Sequence, residues 1–204
     1  MTEQAKKIVP IQRKGAKSST HYSIKASDLN AARELFKKAR MNLLNVNKWH
    51  ELAGALSAKF QLTDEKGNAI NDYVQKGNYF SISIPAAPGS SVGNGNDWVK
   101  VETLEEQKNN NTDWIAIRVR PAKSPLQHNS AETAHFFTDD ASSSFCLERK
   151  GRKVTASIYG RNEKPNIKAK TLTDKIRNVL IAFSAMIGLS KSQWTSLVRG
   201  ILQK

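Results

Sequence analysis

Three kinds of hydrophobic spacing follow one another along the chain. Residues 1–19 are polar and basic and show neither a helical nor a strand period, which predicts a flexible basic tail ahead of a single domain over residues 20–204. His21–Lys25 alternates enough for a short strand. Leu29, Ala32, Phe36, Ala39 and Leu43 then recur at three- and four-residue steps, the stripe of an amphipathic helix running to about Leu44, with Ser27 as its N-cap and Asp28 at its positive end. Asn45 and Asn47 break that run, and a second short helix carrying Trp49, Leu52 and Ala53 closes near Gly54.

From here to about residue 160 the spacing drops to two, and turn residues punctuate it. Six strands are predicted: Ala58–Thr63, Tyr79–Ile84, Trp98–Leu104, Trp114–Arg120, Ser144–Arg149 and Lys153–Tyr159. Phe80, Ile82 and Ile84 share one face of the second; Ile115, Ile117 and Val119 share one face of the fourth, opposite Trp114, Arg118 and Arg120. Asn109–Asn111 makes a polar hairpin tip, and Lys150–Gly151 turns the chain between the last two strands. A short helical piece is expected over Ala131–Asp140.

The spacing then returns to the helical one. Thr171 with Asp174 makes a capping pair, and Leu172, Ile176, Val179, Leu180, Phe183 and Ile187 line one face of a long helix stopped by Gly188. Ser190 with Gln193 opens a last helix, with Trp194, Leu197, Val198, Ile201 and Leu202 on one side. The fold class is therefore α+β: an antiparallel, curved sheet of six to seven strands packed on a long C-terminal helix, with two short helices after the first strand and one extra helix at the end.

This order resembles the START-like or helix-grip superfamily, which includes polyketide cyclases and the birch-pollen allergen. The resemblance covers residues 20–188 and rests on element order, with Trp49 similar to an aromatic that members carry on the second helix. It implies a groove between the sheet and helix Thr171–Ile187, plugged at one end by the first two helices.

Composition changes the picture in two places. The net charge of +14 is concentrated at the ends, with +5 over residues 1–25 and +6 over 166–204, while residues 61–122 carry −2. Sheet-face recognition of nucleic acid would require the reverse placement, so a nucleic-acid partner is conceivable only through the Lys/Arg-rich ends: Lys6, Lys7, Arg13, Lys14 and Lys17, with Lys168, Lys170, Lys175 and Arg177. No run of apolar residues reaches the length of a membrane span, no secretory signal is present and Cys146 stands alone, which together suggest a cytoplasmic protein whose one thiol is an inert core residue.

Candidate chemistry is sparse. Gly93-Asn94-Gly95 precedes a strand, whereas phosphate loops precede a helix, so it is read as a loop that could lie over a groove mouth as a lid. His135 and Asp139 would share a helical face with Asp140 beside them, too few ligands for a metal, and no nucleophile elbow exists. No catalytic residue, metal or cofactor is assigned. The expected function is a non-enzymatic binding protein holding an apolar or amphipathic small molecule, with Trp49, Phe80, Ile82, Trp98, Trp114, Arg118, His135, Phe137, Tyr159, Arg161 and Phe183 as its binding residues. The alternatives are a nucleic-acid-associated basic protein, a cyclase- or hydrolase-like enzyme using His135 or His50 as general base, and a partner-binding module using Trp194.

Overall fold

A computed structural model describes residues 1–54, 57–85, 88–127, 130–168, 172–187 and 189–204, without the side chains of residues 182–190. Thr171 and Gly188, read as helix start and stop, and the Phe183, Ile187 and Ser190 side chains lie outside the described residues. The elements run α1 (Glu3–Ile8), β1 (Ala16–Lys25), α2 (Leu29–Leu44), α3 (Trp49–Ala53), β2 (Lys59–Thr63), β3 (Tyr79–Ser83), β4 (Asp97–Lys108), β5 (Thr112–Pro121), β6 (Ser142–Lys150), β7 (Lys153–Glu163), α4 (Leu172–Ile187) and α5 (Leu189–Gln203). The seven strands form one open, curved sheet in the order β1-β7-β6-β5-β4-β3-β2, with every neighbouring pair antiparallel. Thus the period-two region is a meander, and β1 closes onto its far edge.

The alternation assigns the two faces. Phe60, Phe80, Val101, Ile115, Ile117, Phe145, Leu147, Ala156 and Ile158 project to an inner face, covered by α2, α3 and α5. Trp49 is fully buried, with ring centroids 4.5 Å from Phe145, 5.4 Å from Phe60 and 5.9 Å from Phe80; its indole N–H donates to the Leu43 carbonyl at 3.1 Å. Trp194 closes the same cluster, 5.6 Å from Phe145, so it is part of the core and not the exposed stripe expected of a partner-binding helix. At Gly200 any Cβ would strike the Leu52 backbone, so the glycine is what lets α5 lie directly against α3.

Three further expectations are corrected. Residues 1–19 are not a tail: they form α1 and the first part of β1. Ala5, Ile8 and Val9 cover Trp114, Ala116, Cys146 and Tyr159 on the outer face of the sheet, and burial in that layer pushes the Cys146 thiol up to about 12, which keeps it inert. A six-residue helix with three apolar contacts leaves too weak a period to register in so polar a stretch. Asp28, not Ser27, caps α2: its carboxylate accepts from the Ala31 N–H at 2.9 Å, and the Ser27 hydroxyl donates to it. The Ala131–Asp140 segment is an irregular extended strap, so His135 and Asp139 share no helical face.

The largest correction concerns the C-terminal helices. The helix gripped by the sheet is α5, whose Leu197, Val198, Ile201 and Leu202 are buried against the inner face, and not α4. α4 turns its polar side inward: Asp174, Arg177 and Asn178 are 3–5% exposed, while Leu172 is 72%, Ile176 53%, Val179 41% and Leu180 61% exposed.

Candidate functional site

The inner face is filled over its β2–β3 side and its centre by the Trp49 cluster. Its other end, where β1, β7, β6, β5 and β4 leave the core, is built differently. A bulge in β7 makes the difference: Ala16 pairs with Glu163 but Ser18 with Gly160, so one extra residue is inserted in β7. Asn162 occupies that position in the left-handed conformation, φ 55°, which asparagine tolerates better than most residues. The insertion brings Glu163 to the same side as Gly160. The absence of a Cβ on Gly160 leaves the room that the Glu163 carboxylate fills.

Glu163 there lines a gap of about 20 Å³ with Val99, Val119, His135, Phe137 and Ser143. The walls are largely apolar. Burial pushes the Glu163 carboxyl up to about 7, opposed only in part by the Ser18 hydroxyl, which donates at 3.4 Å, and by the charge of Arg161. His135 is 5% exposed, and burial together with the Arg177 charge pushes it down to about 3. Its Nδ1 accepts the Phe137 N–H at 2.9 Å, so the imidazole is neutral with its proton on Nε2. With the Nδ1 lone pair engaged by backbone, this ring is a hydrogen-bond donor and not the general base that an enzyme reading would use.

α4 roofs this end through polar contacts. Arg177 forks onto Asp97, at 2.6 and 3.2 Å, in a pair only 3% and 1% exposed. Burial raises the Asp97 carboxyl and the guanidinium opposes that shift. Arg177 also donates to the Pro88 carbonyl, Asp174 accepts from the Ser91 hydroxyl and N–H, and Asn178 donates to the Asn166 carbonyl at 2.9 Å. The segment around Ser90–Asn96, read as a lid, is in this way bound to α4; Ser91–Gly93 forms one 3-10 turn, and the Gly93 carbonyl accepts from the Trp98 indole at 2.9 Å. Beyond the strap, Thr133, Thr138, Asp139, Asn166 and Lys168 line an open cleft of about 370 Å³.

The residues singled out in the sequence divide into three groups. Trp49, Phe80 and Ile82 belong to the packed core, and Trp98, His135 and Phe137 lie at or beside the α4 end. Trp114, Arg118, Tyr159 and Arg161 belong to the opposite, outer side of the sheet, and Phe183 lies outside the described residues. Arg118 donates to Glu102 at 3.0 Å and to the Ile8 carbonyl at 2.9 Å, which binds it to α1 instead of a groove. Arg161 donates to the Ser18 and Gly160 carbonyls and sits over the Tyr159 ring at 5.5 Å. The sequence offered Glu163 only with Arg161, as groups at the end of the last strand that either bind a charged ligand group or form a solvated turn; the structure turns the Glu163 carboxylate to the inner side and leaves Arg161 on the outer one. Asp97 and Arg177 were missed as a pair, because the two are remote in sequence. Among the described residues no group of three or more His, Cys, Asp or Glu side chains is placed to hold a metal ion, and no helix is long and apolar enough to cross a membrane.

No family model and no curated protein matches the chain. Among solved structures it is similar to a hypothetical protein from Helicobacter pylori, at 12% identity and TM-score 0.48 over 93% of this chain and 87% of that one. It is also similar to major latex-like protein 151 of Panax ginseng (12%, TM-score 0.38, 83% and 95%) and to a truncated norcoclaurine synthase of Thalictrum flavum (8%, TM-score 0.34, 88% and 99%). These likenesses assign no activity to this chain. The chain's own element order and its seven-stranded antiparallel sheet, with α5 against the inner face, are read from its own structure alone.

Proposed function

We propose that this chain is a binding protein for an amphipathic small molecule, taken up at the α4 end of the inner sheet face with its polar group on Glu163. The observation that carries the proposal is the Glu163 carboxyl itself, raised to about 7 between Val99, Val119 and Phe137 and held by one long hydrogen bond from Ser18. A buried carboxyl with so little compensation is costly for folding alone, and polar groups in an apolar recess are how small-molecule sites fix orientation. The neutral His135 beside it offers no matching charge, so a ligand hydroxyl or amine is the group that would satisfy it.

The gap of about 20 Å³ has room for about one water, so uptake requires the strap that carries His135, Phe137 and Ala141 along its wall to move outward. The contacts that must open are polar: the Asn166 amide on the Thr133 and His135 carbonyls, and Arg120 on the Asp139 and Asp140 carbonyls. Native mass spectrometry of the chain purified from its own cells, compared with the denatured mass, tests the proposal. A retained small molecule that Glu163→Gln releases supports it. A clean apo mass for the unaltered chain, or co-purifying nucleic acid, overturns it and leaves the recess as structural packing.

A further inference from the structure

Over Leu172–Leu180, α4 presents its apolar side to solvent. Leu172, Ile176 and Val179 are 72%, 53% and 41% exposed, and Ile167, just before the helix, is 62% exposed. A helix that buries Asp174, Arg177 and Asn178 while exposing leucine and isoleucine runs against the usual economy of a surface helix in water. The arrangement is firmly anchored, because the polar side is tied to the body by the Arg177–Asp97 fork and by Asn178 on Asn166.

The charges around this face are of one sign. Lys168 and Lys175 are exposed beside it, Lys191 is exposed at the start of α5, and the only acidic residue of 166–204 is Asp174, buried against Ser91. Lys175 precedes Ile176 and lies at the margin of the stripe. Two copies of this chain would bring lysine margins and a charge of +14 each face to face, and a nucleic acid would leave the leucine and isoleucine unburied. An apolar stripe bordered by lysines is complementary to one surface in particular, an anionic lipid layer with hydrocarbon beneath its headgroups.

We infer that the exposed face of α4 is a docking surface for an anionic membrane, on which Leu172, Ile176 and Val179 enter the headgroup boundary and Lys168 and Lys175 meet the lipid phosphates. The inference is independent of whether the sheet takes a ligand. It is tested by flotation of the full chain with vesicles of phosphatidylcholine alone and of phosphatidylcholine containing a one-third share of phosphatidylserine. The chain should float with the anionic vesicles only, and Ile176→Glu combined with Val179→Glu should lower the bound fraction by at least about tenfold while leaving the thermal melt in place. If that double variant melts early, Lys168→Glu with Lys175→Glu should give the same loss. The inference is overturned by failure to float with anionic vesicles, or by flotation that all these substitutions leave intact, which would place binding on the basic N-terminal segment. It is equally overturned if the chain is a dimer that Ile176→Glu dissociates and that binds no vesicle.

Discussion

α4 and α5 follow one another in the chain, each carries an apolar stripe at helical spacing, and they are buried on opposite sides. α5 lies on the inner sheet face against β1 and β7, with Trp194 reaching Phe60 and Phe145, and it buries Leu197, Val198, Ile201 and Leu202. α4 lies over the end of the same face, where Asp97, the Ser91 turn and Asn166 offer charge and hydrogen bonds, and it buries Asp174, Arg177 and Asn178. A helix's stripe thus states what it can bury, while the surface it meets decides what it does bury.

The sharpest way to break this contrast is at the polar anchor. Arg177→Ala leaves the Asp97 carboxylate buried without its partner, and should cost about 3–5 kcal/mol in a urea melt. Leu197→Ala, the corresponding change on α5, should cost about 2–5 kcal/mol, from lost burial and the cavity left behind. A smaller loss at Arg177 than at Leu197 would mean that α4 detaches without disturbing the sheet.

A third prediction reads the recess by pH. Glu163 has its folded value raised from 4.5 to about 7, so its contribution to stability is present at low pH and is lost as pH rises through 7. His135 has its folded value lowered from 6.5 to about 3, so its contribution is present above 6.5 and is lost as pH falls towards 3. Between about 4.5 and 6.5 the two slopes oppose each other, which predicts a plateau with a decline of about 1 kcal/mol or less from pH 6.5 to 8. Glu163→Gln should remove that decline and tilt the plateau so that stability rises with pH. The smallest effect is expected on the exposed stripe: Ile176→Ala should change stability by no more than about 0.5 kcal/mol, whereas burial of that face within the free chain would make the loss several times larger.

Most of the fold was legible in the sequence because it rests on local period. β2 to β7 show alternation strong enough to place each within a few residues, and the helical stripes of α2 and α5 agree with their burial. β1 was read as half its length, since Ala16–Thr20 is small and polar and owes its strand to pairing with β7. The site was far less legible. Asp174 read as a capping residue and Arg177 as one of the basic groups of the C-terminal end, and the justification for burying Arg177 lies on β4, beyond the reach of any local pattern. Glu163 turns inward only through the β7 bulge, and an alternation count carried through Asn162 points it to the wrong side.

The pairing of Ala16 with Glu163 and the packing of α5 on α2, α3 and β1 also govern when the molecule can form. While the chain emerges from a ribosome, α2 and α3 can cover only part of the inner face of β2–β7, and the rest stays open until Leu197–Leu202 arrive. α5 is therefore the element that completes the inner face, so the domain should fold all at once and only after α5 has been made, and truncation before α5 should yield an aggregating product in place of a smaller domain.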